Sequence, residues 1–505
     1  MSQIRKQSLI SSVVVYIGFA IGFLNTYLFT KEGGFTKPEY GLTGIFIAIA
    51  TMMYGIANLG APPYIYKFYP YYKDNLPRKQ NDQLTIALLV SLAGFTLITI
   101  AGLVFKDLVI RKFGSNSPDF VKYYYYIFPF GLGLTLFTVL EGYAWQSRRS
   151  IMTNFLREVQ FRLLTTLLIL LTFAGLITNF GVFIKLFSFT YLALFFFLLI
   201  YLWAKGEIHF TLSISRVTKK FFKKIITFVS FLYTGSVVFI VSQSFDTIVI
   251  ASTLKDGLAK VAIYTLAQNV ASLIQAPQRG IISASLASLS RAWKDKDIKK
   301  INRIYHSSSI NQLIFSIGMF CLIWLNFTDG IFTFHLQSGY VDARWVFFYI
   351  GIMRIIDMGT GVNAQIIGTS SLWKFDFFTG IILLFITLPL NYILTKYYFD
   401  VQGPAIANLI SFTIYNSIRY LVLLRKYKMQ PFTAKTFYCI VLGLACYYSC
   451  YFLFHKMQGF WPIVLRSSAF VLLYGSVVVW LRLSPDLLPM WQTLKKKMGI
   501  KKEDR

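Results

Sequence analysis

The sequence predicts an all-α polytopic membrane protein of about 14 transmembrane helices, built as two pseudo-symmetric six-helix bundles plus two C-terminal helices. Three observations predict it. Apolar segments of roughly 20 residues, the length that crosses a hydrocarbon core of about 30 Å, fill nearly all of the 505 residues. Lysine and arginine alternate between rich and poor in successive links. A pattern in the first two spans returns in the seventh and eighth. With so little chain outside the bilayer, function is expected within the membrane.

The candidate spans of the first bundle begin near Ser8, Tyr40, Leu84, Val121, Phe155 and Gly181. The first run is longer than a signal-peptide core and lacks a small-residue cleavage site, so it is expected to remain as a helix. A long link, Lys205 to Lys224, separates these spans from those near Phe221, Leu258, Ile304, Trp345, Trp373 and Ala405; a last pair begins near Ala434 and Ile463. The expected division is 1–210, 211–428, two helices within 429–485, and a basic cytoplasmic tail at 486–505.

A cytoplasmic amino terminus places about 34 of the 50 basic residues inside and about 11 outside, as the positive-inside rule requires. Both termini are then inside. The outer link with Lys106, Arg111, Lys112 and Lys122 runs against the local trend without reversing the total. The net charge of +29 is dispersed over cytoplasmic links, so topology and anionic headgroups account for it and no nucleic-acid partner is expected. Aromatic runs such as Tyr123 to Phe130 fall at predicted interfaces, as belts. Cys321, Cys439, Cys446 and Cys450 fall in predicted spans and imply neither disulfide nor metal site.

The repeat is carried by NLGAPPYIYKF at Asn58 to Phe68 and LIQAPQRGIIS at Leu273 to Ser283, roughly 215 residues apart and each followed by a basic link. An even number of spans per repeat makes the halves parallel, an arrangement of transporters with a path between halves. Polar stripes occur on corresponding spans: Gly18, Gly22 and Asn25; Gly44, Ala48, Thr51, Gly55 and Asn58; Gln243 and Asp246; Gln268, Ser272, Gln275, Arg279 and Ser283. Such faces line an aqueous cavity or pack helices closely through small residues.

Ionisable residues inside spans are functional candidates. Arg354 is expected near the bilayer centre, with Asp357 at i+3 as an ion-pair partner; the alternative is an arginine for an anionic substrate. Gly361, Gln365 and Gly368 continue that face. Arg279 follows Pro277, where a kink aims it into the cavity or lets it snorkel; Arg419 is expected to snorkel to the inner surface. Asp246, with Gln243 beside it, is the candidate proton or sodium site, and Asp357 a second. Glu141 is read as structural, close to Arg148 and Arg149.

Taken together, the chain resembles the multidrug/oligosaccharidyl-lipid/polysaccharide exporter superfamily, and in particular its polysaccharide-flippase branch of Bacteroidetes. The stretches that carry the likeness include KQSLISSVVVYIGFAIGFLNTYLF, AIYTLAQNVASLIQAPQRGIISASLASLSRAWKDKD and FFYIGIMRIIDMGTGVNAQIIGTSSLWKFDF. The resemblance implies a flippase of the bacterial inner membrane, without cofactor, moving a polyprenyl-pyrophosphate-linked oligosaccharide for O-antigen or other surface polysaccharide and working beside polysaccharide-assembly enzymes. On that reading Asn25, Asn58, Gln268, Asn269 and Gln275 meet sugar hydroxyls, while Arg279 and Arg354 meet pyrophosphate. A multidrug exporter of the same superfamily needs acidic cavity residues, and a membrane enzyme needs a large outer loop; neither fits this chain as well.

Overall fold

A computed structural model describes residues 3–484; residues 1–2 and 485–505, with the expected basic tail, lie outside the described residues, as do the side chains of 3–12, 239, 243, 279, 283, 284, 287, 373, 374 and 376. The chain is all-helical and divides into two compact units, 1–265 and 266–505.

The first unit holds α1 (Gln3–Thr30), α2 (Lys37–Ala57), α3 (Ala61–Asn75), α4 (Gln83–Val104), α5 (Lys106–Phe113), α6 (Pro118–Lys122), α7 (Ile127–Gln146), α8 (Ser150–Asn154), α9 (Phe161–Phe173), α10 (Phe180–Ser188), α11 (Thr190–Ala204), α12 (Arg216–Thr253) and the first part of α13 (Gly257–Ala271). The second holds α14 (Gln278–Lys294), α15 (Ile298–Thr333), α16 (Ala343–Gly359), α17 (Asn363–Thr369), α18 (Trp373–Ile393), α19 (Gly403–Tyr427), α20 (Ala434–Phe454) and α21 (Phe460–Trp480).

Local chemistry sets the boundaries. Thr36 and Glu39 form a capping box that starts α2, satisfying two amides the helix itself leaves open. Both Ala-Pro motifs mark breaks. After Asn58 the backbone turns through left-handed Leu59 and Gly60 (φ 44° and 79°) before α3 restarts at Ala61. In the second copy, α13 tightens into a 3-10 turn, Ser272–Gln275, before α14 begins beyond Pro277. Proline lacks the N–H that would continue either helix, which is why both spans break there.

Large apolar side chains face outward, as lipid requires: Leu97 is 65% exposed, Leu453 74% and Trp480 79%. Eleven helices among the described residues are long and apolar enough to cross a membrane, or twelve if a pair bent by 47° between α16 and α17 counts as one broken span. This is fewer than the expected fourteen, and the difference has identifiable causes. The segment at Phe155 carries Arg157, Glu158 and Arg162, and residues 377–427 pass as one stretch although α18 packs back along α19 after a reversal at Asp400.

Candidate functional site

Each unit contains a polar cluster inside its apolar spans. In the first, a π-helical turn at Phe155–Gln160 interrupts the helix between α8 and α9 and re-aims Arg157 and Glu158. Arg157 donates to Glu141 of α7 at 2.6 Å; the Glu141 side chain is 2% exposed and that of Arg157 34%. The expected neighbours of Glu141 are therefore corrected: Arg149 instead pairs with Glu207 at 2.8 Å. One turn on, Arg162 donates to Glu158 at 2.9 Å.

The glycine stripe of α1 lies on this pair. A Cβ at Gly18 would stand 2.5 Å from the Glu158 carbonyl oxygen, and one at Gly22 would stand 2.9 Å from Arg162 Nε. Asn25 donates to the Arg162 carbonyl and accepts from the Thr166 hydroxyl, tying α1 to α9. Its amide thus serves the helix joint. Asn58 acts likewise at the α2 break, donating to the Tyr54 and Gly55 carbonyls and accepting from Gly60 N–H, while 2% exposed. Gly44 and Gly55 receive Thr265 and Ile240 in close contact, so these two positions pack helices together.

Asp246 of α12 is 3% exposed and accepts from the Tyr264 hydroxyl at 2.6 Å. Gln243 and Arg279 are side chains outside the described residues. Gln268 is half-buried and Asn269 exposed.

The second unit gathers its polar residues around the 3-10 turn and α16. With the Gln275 amide oxygen turned toward it, Arg354 donates at 2.7 Å through Nη1 and at 3.3 Å through Nε. Three residues on, the Asp357 carboxylate accepts from Gln278 at 3.0 Å and from Asn416 of α19 at 3.2 Å. Asn416 accepts in turn from Asn363 and Thr360. The α16 to α17 break, the Ala-Pro break and α19 are thereby joined by one amide network. Arg419, expected at the inner surface, is buried at 6% exposure with its guanidinium 3.9 Å from the centre of the Tyr415 ring. Gln365 is half-buried on α17.

Arg157, Glu158 and Arg162, and likewise Gln278, Asn363 and Asn416, join these clusters without a sequence pattern that singles them out. Three charges within eight residues of an apolar run, LREVQFRL, are only a general signal for the first group.

The fold is similar to solved transporter structures. It aligns with "Lipid II flippase MurJ, inward closed conformation" at a TM-score of 0.72 and 17% identity, over 95% of this chain and 100% of the other. It aligns with an inward-facing multidrug resistance MATE family transporter of the MOP superfamily at 0.60 and 16% identity, over 81% and 93%, and with an outward-facing one at 0.53 and 16%, over 82% and 94%. No protein-family model and no curated protein sequence matches. These likenesses establish the fold.

Proposed function

We propose that the protein is a flippase that moves a polyprenyl-pyrophosphate-linked oligosaccharide from the inner to the outer leaflet of the bacterial inner membrane, both termini being cytoplasmic, by alternating access of its two bundles. The observation that carries this reading is the placement of Arg354 against Gln275, at the broken segment of a fold similar over 95% of this chain to that of a lipid II flippase. A guanidinium inside a span costs several kcal/mol to desolvate, and a pyrophosphate cargo is the kind of ligand that offsets that cost through charge-assisted hydrogen bonds.

Sugar hydroxyls require both donors and acceptors, which Gln268, Asn269 and Gln275 supply; the prenyl chain requires neither and stays in lipid. Asn25 and Asn58 are left out of the binding set, because their amides are engaged by backbone. Asp246, with Gln243, is the proposed proton or sodium site, and Asp357 with its two amide donors is the second. The sugar units come from glycosyltransferases and leave to a polymerase of a surface-polysaccharide pathway.

The test is reconstitution in vesicles with a fluorescent lipid-linked oligosaccharide and a quencher that does not cross the membrane. A flippase makes nearly all of the probe accessible, and Arg354→Ala slows this at least tenfold. Equal rates with empty vesicles, alongside uptake of organic cations, would favour a multidrug exporter instead.

A further inference from the structure

Apart from both polar clusters, the first unit contains a cavity of about 770 Å³ bounded by the start of α3, by α4 and by the first turns of α12. Gly60, Tyr64, Val90, Phe222 and Ile226 form its walls, and Lys219 stands among them. The hollow follows from the break after α2. The left-handed turn at Leu59 and Gly60 displaces α3 from the line of α2, and a Cβ at Gly60 would run into Val229 of α12. The chain cannot close this corner with a larger residue at position 60.

Val90, Phe222 and Ile226 are 38%, 57% and 49% exposed, so the hollow opens to the surroundings of the helices. In a bilayer those surroundings are hydrocarbon. Lys219 is the charged residue of its lining, and Arg216, Lys220, Lys223 and Lys224 fall in the same first turns of α12. The buried Asp82 of the same corner is already engaged, accepting from Ser215 N–H and from the Thr218 hydroxyl at 2.8 Å each.

We propose that this cavity is a binding site for an anionic phospholipid, with one acyl chain in the apolar hollow and the phosphate on Lys219. Hydrocarbon complements the walls, and a headgroup of net negative charge complements Lys219 and the basic start of α12 better than a zwitterionic one does. The occupant lies against the α2 to α3 break.

The test uses the full-length protein in detergent, titrated with phosphatidylglycerol and, separately, phosphatidylcholine of matched chains, with bound lipid counted by native mass spectrometry. Phosphatidylglycerol is expected to be retained about fivefold better or more, and Lys219→Gln to lower that preference about fivefold. Val90→Trp, which fills the hollow, should lower retention of both lipids while leaving the thermal transition of lipid-free protein in place. Equal retention of the two lipids, or an unchanged preference in Lys219→Gln, would overturn the proposal. So would displacement of phosphatidylglycerol by a polyprenyl phosphate with the same Lys219 dependence, which would assign the hollow to the carrier chain.

Discussion

Arg157 donates to Glu141 across 2.6 Å between a π-helical turn and α7, with the carboxylate almost fully buried. The second Glu141 oxygen, Oε1, has no hydrogen-bond partner among the described residues, so the arginine is what holds this charge inside the bundle. The π turn matters here because an unbroken α-helix would rotate Arg157 away from this position.

Removing one member of that pair leaves the other charge poorly compensated. Arg157→Ala should therefore lower stability by about 3 kcal/mol, while the double variant Arg157→Met with Glu141→Gln recovers most of the loss. Thermal unfolding in detergent measures both, and equal loss in the single and double variants would contradict the pairing.

The α1 glycines make a separate prediction. Gly22→Leu forces a side chain into Arg162, and overpacking of this kind costs about 1–3 kcal/mol. Gly33→Ala, where a Cβ meets nothing within 4 Å but φ is 71°, tests backbone strain alone and should cost about 1–2 kcal/mol. The comparison is read from the two melting curves.

On the proposed function, Arg354→Ala should abolish transport and Arg354→Lys retain part of it, because a flexible pyrophosphate cargo asks more for charge than for fork geometry. Asp357→Asn should be milder. Because the Asp357 carboxylate is held by Gln278 and Asn416, combining Arg354→Ala with Asp357→Ala should not restore activity. Recovery in the double variant, measured as vesicle flipping rate, would identify a structural ion pair.

Arg466 of α21 donates to Asp329 of α15 at 2.6 Å and to Asn326 at 2.8 Å, with side chains 6% and 14% exposed at the ion pair. Asp329→Ala should cost about 3–5 kcal/mol and loosen α21 from α15. Faster protease cleavage between α20 and α21 would report that loosening; unchanged cleavage and melting would mean the pair contributes little.

The helices were legible because lipid imposes a simple rule, that long apolar runs must be helical; a kink is legible after Pro277, whereas the matching break at Leu59 and Gly60 before the first Ala-Pro motif is not. Partnerships between helices were not legible. Glu141 lies seven and eight residues from Arg148 and Arg149 along the chain, yet it pairs with Arg157, whose direction depends on a π turn that no residue pattern announces. Asn58 shared a face with small residues and so read as a cavity residue, whereas its amide caps the joint it helps to make. Arg354 and Asp357 are three apart on one helix, a spacing that suggests a pair, but amides from other segments reach Asp357. Tertiary contacts decide where a polar side chain is directed, and one-dimensional periodicity carries only the face.

The measurement that tests the central claim most directly is the lipid-linked oligosaccharide pool of cells depleted of this protein, extracted and identified by mass spectrometry with the leaflet assigned by an impermeant label. A flippase predicts accumulation of a complete polyprenyl-pyrophosphate-linked unit in the cytoplasmic leaflet, reversed by the wild-type chain and not by Arg354→Ala. An unchanged pool together with new sensitivity to cationic drugs would contradict it.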